Sequence, residues 1–157
     1  MEDFKIKGTE FIRQRQGELE QLFGEPTHAL DAKFAKAHDE VFSRIDCLTC
    51  ANCCKTTGPL FTYPDMIRIA KGLEMPVQKF IDDYLQIDED GDHILQALPC
   101  PFLMEDNKCR IYAFRPEACA SYPHTNEAGM NKIFDLTLKN AEICPAVVEI
   151  LSLITPK

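Results

Sequence analysis

The sequence is short of glycine, histidine and positive charge. Only 7 of its 157 residues are Gly and only 4 are His. It has no Gly-rich phosphate loop and no dinucleotide-binding fingerprint. No side chain forms a nucleophile–base pair beyond the thiols, so the sequence assigns no catalytic residue. Lys and Arg number 17 against 25 Asp and Glu, for a net charge of −8. A field of that sign repels phosphate backbones, so nucleic acid is not an expected partner. The densest basic stretch, at Arg13 and Arg15, is diluted by Glu18 and Glu20.

Long apolar runs are also missing. The longest, Ala146 to Ile154, is interrupted by Glu149 and falls short of the ~20 residues that span a bilayer, so no membrane partner is expected. The opening MEDFKIKGTE lacks a basic segment leading into an apolar one. The expected location is therefore the cytoplasm, where thiols stay reduced. Against this background the 8 cysteines need a role other than structural disulfides.

Helical periodicity dominates the N-terminal third. Phe4, Phe11, Ile12, Leu19, Leu22 and Phe23 fall near helical spacing before a stop at Gly24 and Pro26. Leu30, Phe34, Ala37, Val41 and Ile45 mark a second stripe over 28–45, predicting a helical hairpin in residues 1–45. Thr62 with Asp65 reads as a capping box opening a helix to Leu73, and Pro76 opens another to Tyr84. His93–Leu98 reads as a strand, as does Ile133–Leu138. Asp106-Asn107 reads as a turn between two short arms, Phe102–Met104 and Cys109–Tyr112. Pro116 suits the start of a short helix carrying Cys119, and Pro145–Ile154 reads as a closing helix.

Half of the cysteines crowd into CLTCANCC, residues 47–54. A C-x2-C step lets one turn bring two sulfurs within reach of one metal, and Cys47, Cys50 and Cys53 repeat it twice. Thiolates suit zinc and iron–sulfur centres, with a sulfur about 2.3 Å from zinc. A downstream sulfur from Cys100, Cys109, Cys119 or Cys144 would complete a tetrahedral set. The spacing does not separate zinc from an iron–sulfur cluster. Neighbouring side chains of an extended segment face opposite sides, so Cys53 and Cys54 are expected not to sit equivalently on one metal. Eight thiols suffice for two four-cysteine centres, for one polynuclear cluster, or for one centre with thiols left over.

CLTCANCC matches the motif CxxCxxCC, and CPFL at 100–103 with CRIYAFRPEACASYP at 109–123 supplies a second signature in order. In both, the chain resembles the CxxCxxCC cysteine-cluster domain family, to which zinc or iron chelation is ascribed. The resemblance covers roughly residues 47–125, with Cys144-Pro145 as a trailing Cys-Pro. It implies a metal site in a small α-rich domain. Position by position, it implies ligands at Cys47, Cys50, Cys53, Cys54, Cys100, Cys109 and Cys119, with Cys144 as an addition. Arg115 reads as an offset to thiolate charge or a holder of a carboxylate or carbonyl. Tyr112 and Tyr122 read as packing lids, and His124 as a candidate ligand or hydrogen-bond donor near the site.

The expected fold is α-rich and irregular α+β. A single domain over 1–157 comprises the hairpin, a metal-organised region at 46–145 and a closing helix at 146–157. The expected function is a cytosolic protein chelating zinc or iron, or holding an iron–sulfur cluster, in a structural or metal-handling role. The rival is an iron- or iron–sulfur-dependent enzyme or redox protein. A third reading has residues 1–45 dock a protein partner, whose identity the sequence leaves open.

Overall fold

A computed structural model describes residues 2–156. It is α-rich α+β, as expected, with helices joined by one small antiparallel sheet. Contacts divide the chain into two compact units. One combines the chain up to Asp46 with the chain from Pro123 onward, and the other is Cys47–Tyr122.

In the first unit, α1 (Glu2–Phe23) ends where Gly24 returns its amide to the carbonyls of Glu20 and Gln21. The second helix, α2, is Thr27–Phe42, shorter than the stripe predicted because Ser43 closes it on the Asp39 and Val41 carbonyls. Its Leu30, Phe34, Ala37 and Val41 are buried. Phe23 meets Phe34 edge-on, with ring centroids 5.6 Å apart. Against both helices lies α9 (Pro145–Ile154), whose Ala146, Val147, Ile150 and Leu151 are buried.

The strand expected at 133–138 is instead a 3-10 turn, Met130–Ile133, running into a helix, α8 (Phe134–Ala141). Phe134, Leu136 and Leu138 alternate as in a strand, yet the buried positions are Thr137, Asn140 and Ala141, at helical spacing. Asn140 is inside because its amide donates to the Pro123 carbonyl at 3.0 Å, while Leu136 remains 41% exposed. Asp31 of α2 anchors the start of the 3-10 turn by accepting the Gly129 and Met130 amides at 2.8 and 2.9 Å.

The second unit begins with two helical turns, α3 (Cys47–Cys50) and α4 (Asn52–Thr56), joined through Ala51 in the left-handed region at φ 54°. Then comes α5 (Tyr63–Gly72), capped by Thr62, where hydroxyl and Asp65 carboxylate exchange both bonds of the predicted capping box. Pro76 starts α6 (Val77–Tyr84), as expected. The sheet pairs β1 (Leu85–Ile87) with β2 (His93–Leu95), so the second strand is shorter than the 93–98 run and its partner was not anticipated. The core of this unit gathers Phe61, Met66, Ile69, Ala70, Phe80, Leu85, Leu95, Phe102 and Ile111. The arms around Asp106-Asn107 form only one bridge, Leu103 to Cys109, with Asn107 taking the positive φ of the turn. A 3-10 turn, Tyr112–Phe114, leads to α7 (Glu117–Ser121), which carries Cys119 as predicted.

Candidate metal centre

Seven of the eight cysteines belong to the second unit. Three short pieces of backbone present them. The left-handed residue Ala51 turns the chain between α3 and α4, so Cys47 and Cys50 sit on one helical turn and Cys53 and Cys54 on the next. The Cys100 amide donates to the Cys54 carbonyl at 2.8 Å, which ties the CPFL segment to this knuckle. The Leu103–Cys109 bridge then folds the third piece back, and α7 follows.

The sulfurs of Cys53 and Cys54 are 4.0 Å apart. A tetrahedral ion with bonds of about 2.3 Å to sulfur has an edge of about 3.8 Å. The expectation that these two would not sit equivalently on one metal rested on an extended backbone. The segment is helical, and that geometric reason no longer applies.

Cys100, Cys109 and Cys119 each lie within electrostatic reach of Cys54, which places the four in one neighbourhood. A Cys54 charge disfavours ionisation of the other three, and charges on Cys100 and Cys109 disfavour it at Cys119. The hydrogen bond with Cys53, followed by burial, pushes the Cys54 thiol far up. Burial dominates at the remaining three, with Cys100 raised to about 11, Cys119 to about 12, and Cys109 raised as well. Burial thus favours the neutral form of these thiols where no cation offsets it.

Several groups favour the charged form of sulfur. The amides of Phe102 and Leu103 point at Cys100, and that of Ile111 at Cys109. Arg115 opposes the upward shift of Cys109 and Cys119. Its guanidinium lies 4.1 Å from the centroid of the Tyr112 ring and donates to the Tyr112 carbonyl at 2.8 Å. Tyr112 thus supports Arg115 while remaining 42% exposed.

Cys50, Cys53, Cys54, Cys100, Cys109 and Cys119 carry free thiols, and Cys47 is exposed at the start of α3. Cys144 belongs to the first unit, buried at the N-cap of α9. His124 also lies there, at φ 61°, with Nδ1 3.3 Å from a Glu127 carboxylate oxygen. Among the described residues, no three Cys, His, Asp or Glu side chains converge tightly enough to enclose one ion. The donor chemistry nonetheless suits zinc or iron: soft sulfur ligands, half-buried, with amides and a guanidinium disposed to favour thiolate.

The profile of the CxxCxxCC family, described as "Putative zinc- or iron-chelating domain", matches residues 46–145. The chain belongs to this family. No solved structure matches it. The family's span covers the whole second unit and runs on through α8 to Cys144-Pro145.

Capping-box spacing reveals Asp65 as a helix cap, but its bond to the Glu117 amide, 3.1 Å long and 52 residues away in sequence, carries no local signal. The amides aimed at Cys100 come from residues two and three places after it, and the amide aimed at Cys109 from two places after it. That offset is a signal available in CPFL and CRI.

Proposed function

We propose that this protein chelates zinc or iron through a thiolate cluster centred on Cys54, Cys100, Cys109 and Cys119. Cys53, whose sulfur lies 4.0 Å from that of Cys54, is a further donor, and Cys47 and Cys50 are candidate donors on the preceding helical turn. The observation that carries the reading is the gathering of half-buried Cys100, Cys109 and Cys119 within electrostatic reach of Cys54, with the Cys100 amide bonded to the Cys54 carbonyl at 2.8 Å and backbone amides directed at Cys100 and Cys109. Neutral thiols at such a spacing gain little from one another. A dication would favour their ionised forms and link the α4, CPFL and α7 segments.

The role we assign is structural or metal-handling, in a cytoplasmic setting. Elemental analysis with an absorption spectrum, on full-length protein purified without air, tests this reading. Stoichiometric zinc or iron supports it, and protein that retains neither metal refutes it. An iron–sulfur centre serving a redox or enzymatic role is the second reading, favoured by the exposure of Cys47 at the start of the CxxCxxCC run. Visible charge-transfer bands lost on oxidation would select it, and colourless protein with stoichiometric zinc would remove it.

A further inference from the structure

Between Cys109 and Cys119 the chain passes through Arg115, Pro116 and Glu117, and two side chains of α5 grip this passage. Asp65 is a buried carboxylate, only 1% exposed. One of its oxygens accepts the Thr62 amide at 2.9 Å and the Thr62 hydroxyl at 2.8 Å. The other accepts Arg68 at 2.7 Å and the Glu117 amide at 3.1 Å. The same Arg68 nitrogen donates to the Arg115 carbonyl at 2.7 Å.

Capping α5 occupies only the first oxygen. The second, with Arg68, holds the chain on both sides of Pro116, which is itself buried and fixes its own φ. From Pro116 the distance to Cys119 is one helical turn, closed by the Cys119 amide on the Pro116 carbonyl at 3.0 Å. No flexible joint separates the bracket from the thiol.

We propose that Asp65 and Arg68 are positioning residues for the metal centre, setting where Cys119 stands relative to Cys54, Cys100 and Cys109. The inference rests on the reading that these cysteines hold a metal. Metal–ligand distances tolerate only about ±0.2 Å, so slack in this arm weakens binding even though neither residue is a ligand.

The test uses the full chain and zinc, with affinity read by competition against a chromophoric chelator. Amide exchange of 117–121 is read in parallel on metal-free protein. Asp65→Asn and Arg68→Ala are compared with Ile69→Val, a buried α5 substitution that leaves the bracket intact. We expect zinc affinity to fall roughly ten- to hundredfold in Asp65→Asn, as for outer-shell partners of metal ligands, and less in Arg68→Ala. Exchange at 117–121 should quicken in both, while Ile69→Val leaves affinity and exchange near wild type.

Equal affinities in all three variants would overturn the inference, leaving Asp65 a helix cap alone. If Asp65→Asn fails to fold, Arg68→Ala decides, because its side chain is 43% exposed and its loss spares the core. Wild-type protein that takes up no zinc or iron refutes the metal reading, and the inference with it. Metal uptake that the bracket variants leave unaltered refutes the inference alone.

Discussion

Cys53 and Cys54 hold their sulfur atoms 4.0 Å apart on one turn of α4, and of the two it is Cys54 whose ionised form would oppose ionisation of Cys100, Cys109 and Cys119. Adjacent in sequence, the two thiols are unequal in their surroundings. Cys54→Ser should therefore weaken zinc or iron binding more than Cys53→Ser. The Cys54→Ser loss should exceed the roughly ten- to hundredfold typical of residues outside the ligand shell. Chelator competition on the two variants measures this, and identical losses would make the pair equivalent ligands.

The turn that creates this pair depends on Ala51, which is 4% exposed and sits at φ 54°. A left-handed conformation costs a residue with a Cβ roughly 1–2 kcal/mol. Glycine would relieve that cost but remove a buried methyl worth about 0.8 kcal/mol. Ala51→Gly should thus leave stability within about 1 kcal/mol of wild type. Ala51→Val adds β-branching at positive φ and should be clearly destabilising. Urea midpoints give the ranking, and a Val variant as stable as wild type would contradict the account.

How far the fold could be read from the sequence follows from how local its causes are. The capping box at Thr62 and Asp65, the Pro76 start of α6 and the Pro145 start of α9 are each written within a few residues, and each is found. In 133–138 hydrophobicity misleads, because Leu136 faces outward while Asn140 is drawn inside by the Pro123 carbonyl. β1 escaped notice because it follows directly on the last turn of α6 and is only three residues long. At the candidate site, residue types and spacing single out the cysteines as candidate ligands. They do not reveal that Arg115 leans on Tyr112, or that Asp65 holds the Cys119 arm, since those contacts depend on how distant segments meet.

Gly72, at the end of α5, shows another such long-range constraint. A Cβ built there would lie 2.6 Å from atoms of the Phe114 ring, in the 3-10 turn between Cys109 and Cys119. Alanine is the better helix former by about 1 kcal/mol, yet the clash should outweigh that gain. Gly72→Ala should destabilise the protein by roughly 1–3 kcal/mol, the usual cost of overpacking. Denaturant unfolding checks the sign, and a stabilised variant would mean that Phe114 moves aside freely.

Asp31 links stability to pH. Hydrogen bonds from the Gly129 and Met130 amides favour its ionised form and lower its pKa from the ordinary 3.8, against a smaller upward push from burial. The unfolded chain therefore binds this proton at a higher pH than the folded chain does. Asp31's contribution is then fully present above the unfolded value and is lost as pH falls through the folded one. Asp31→Asn keeps one acceptor oxygen but turns an NH2 group toward an amide donor, so at neutral pH the variant should be less stable than wild type. The difference in urea midpoint should shrink as the solution is acidified below about pH 4, where the wild-type carboxylate loses its advantage. A difference that stays constant from neutral to acid would show that Asp31 works through packing rather than through its charge.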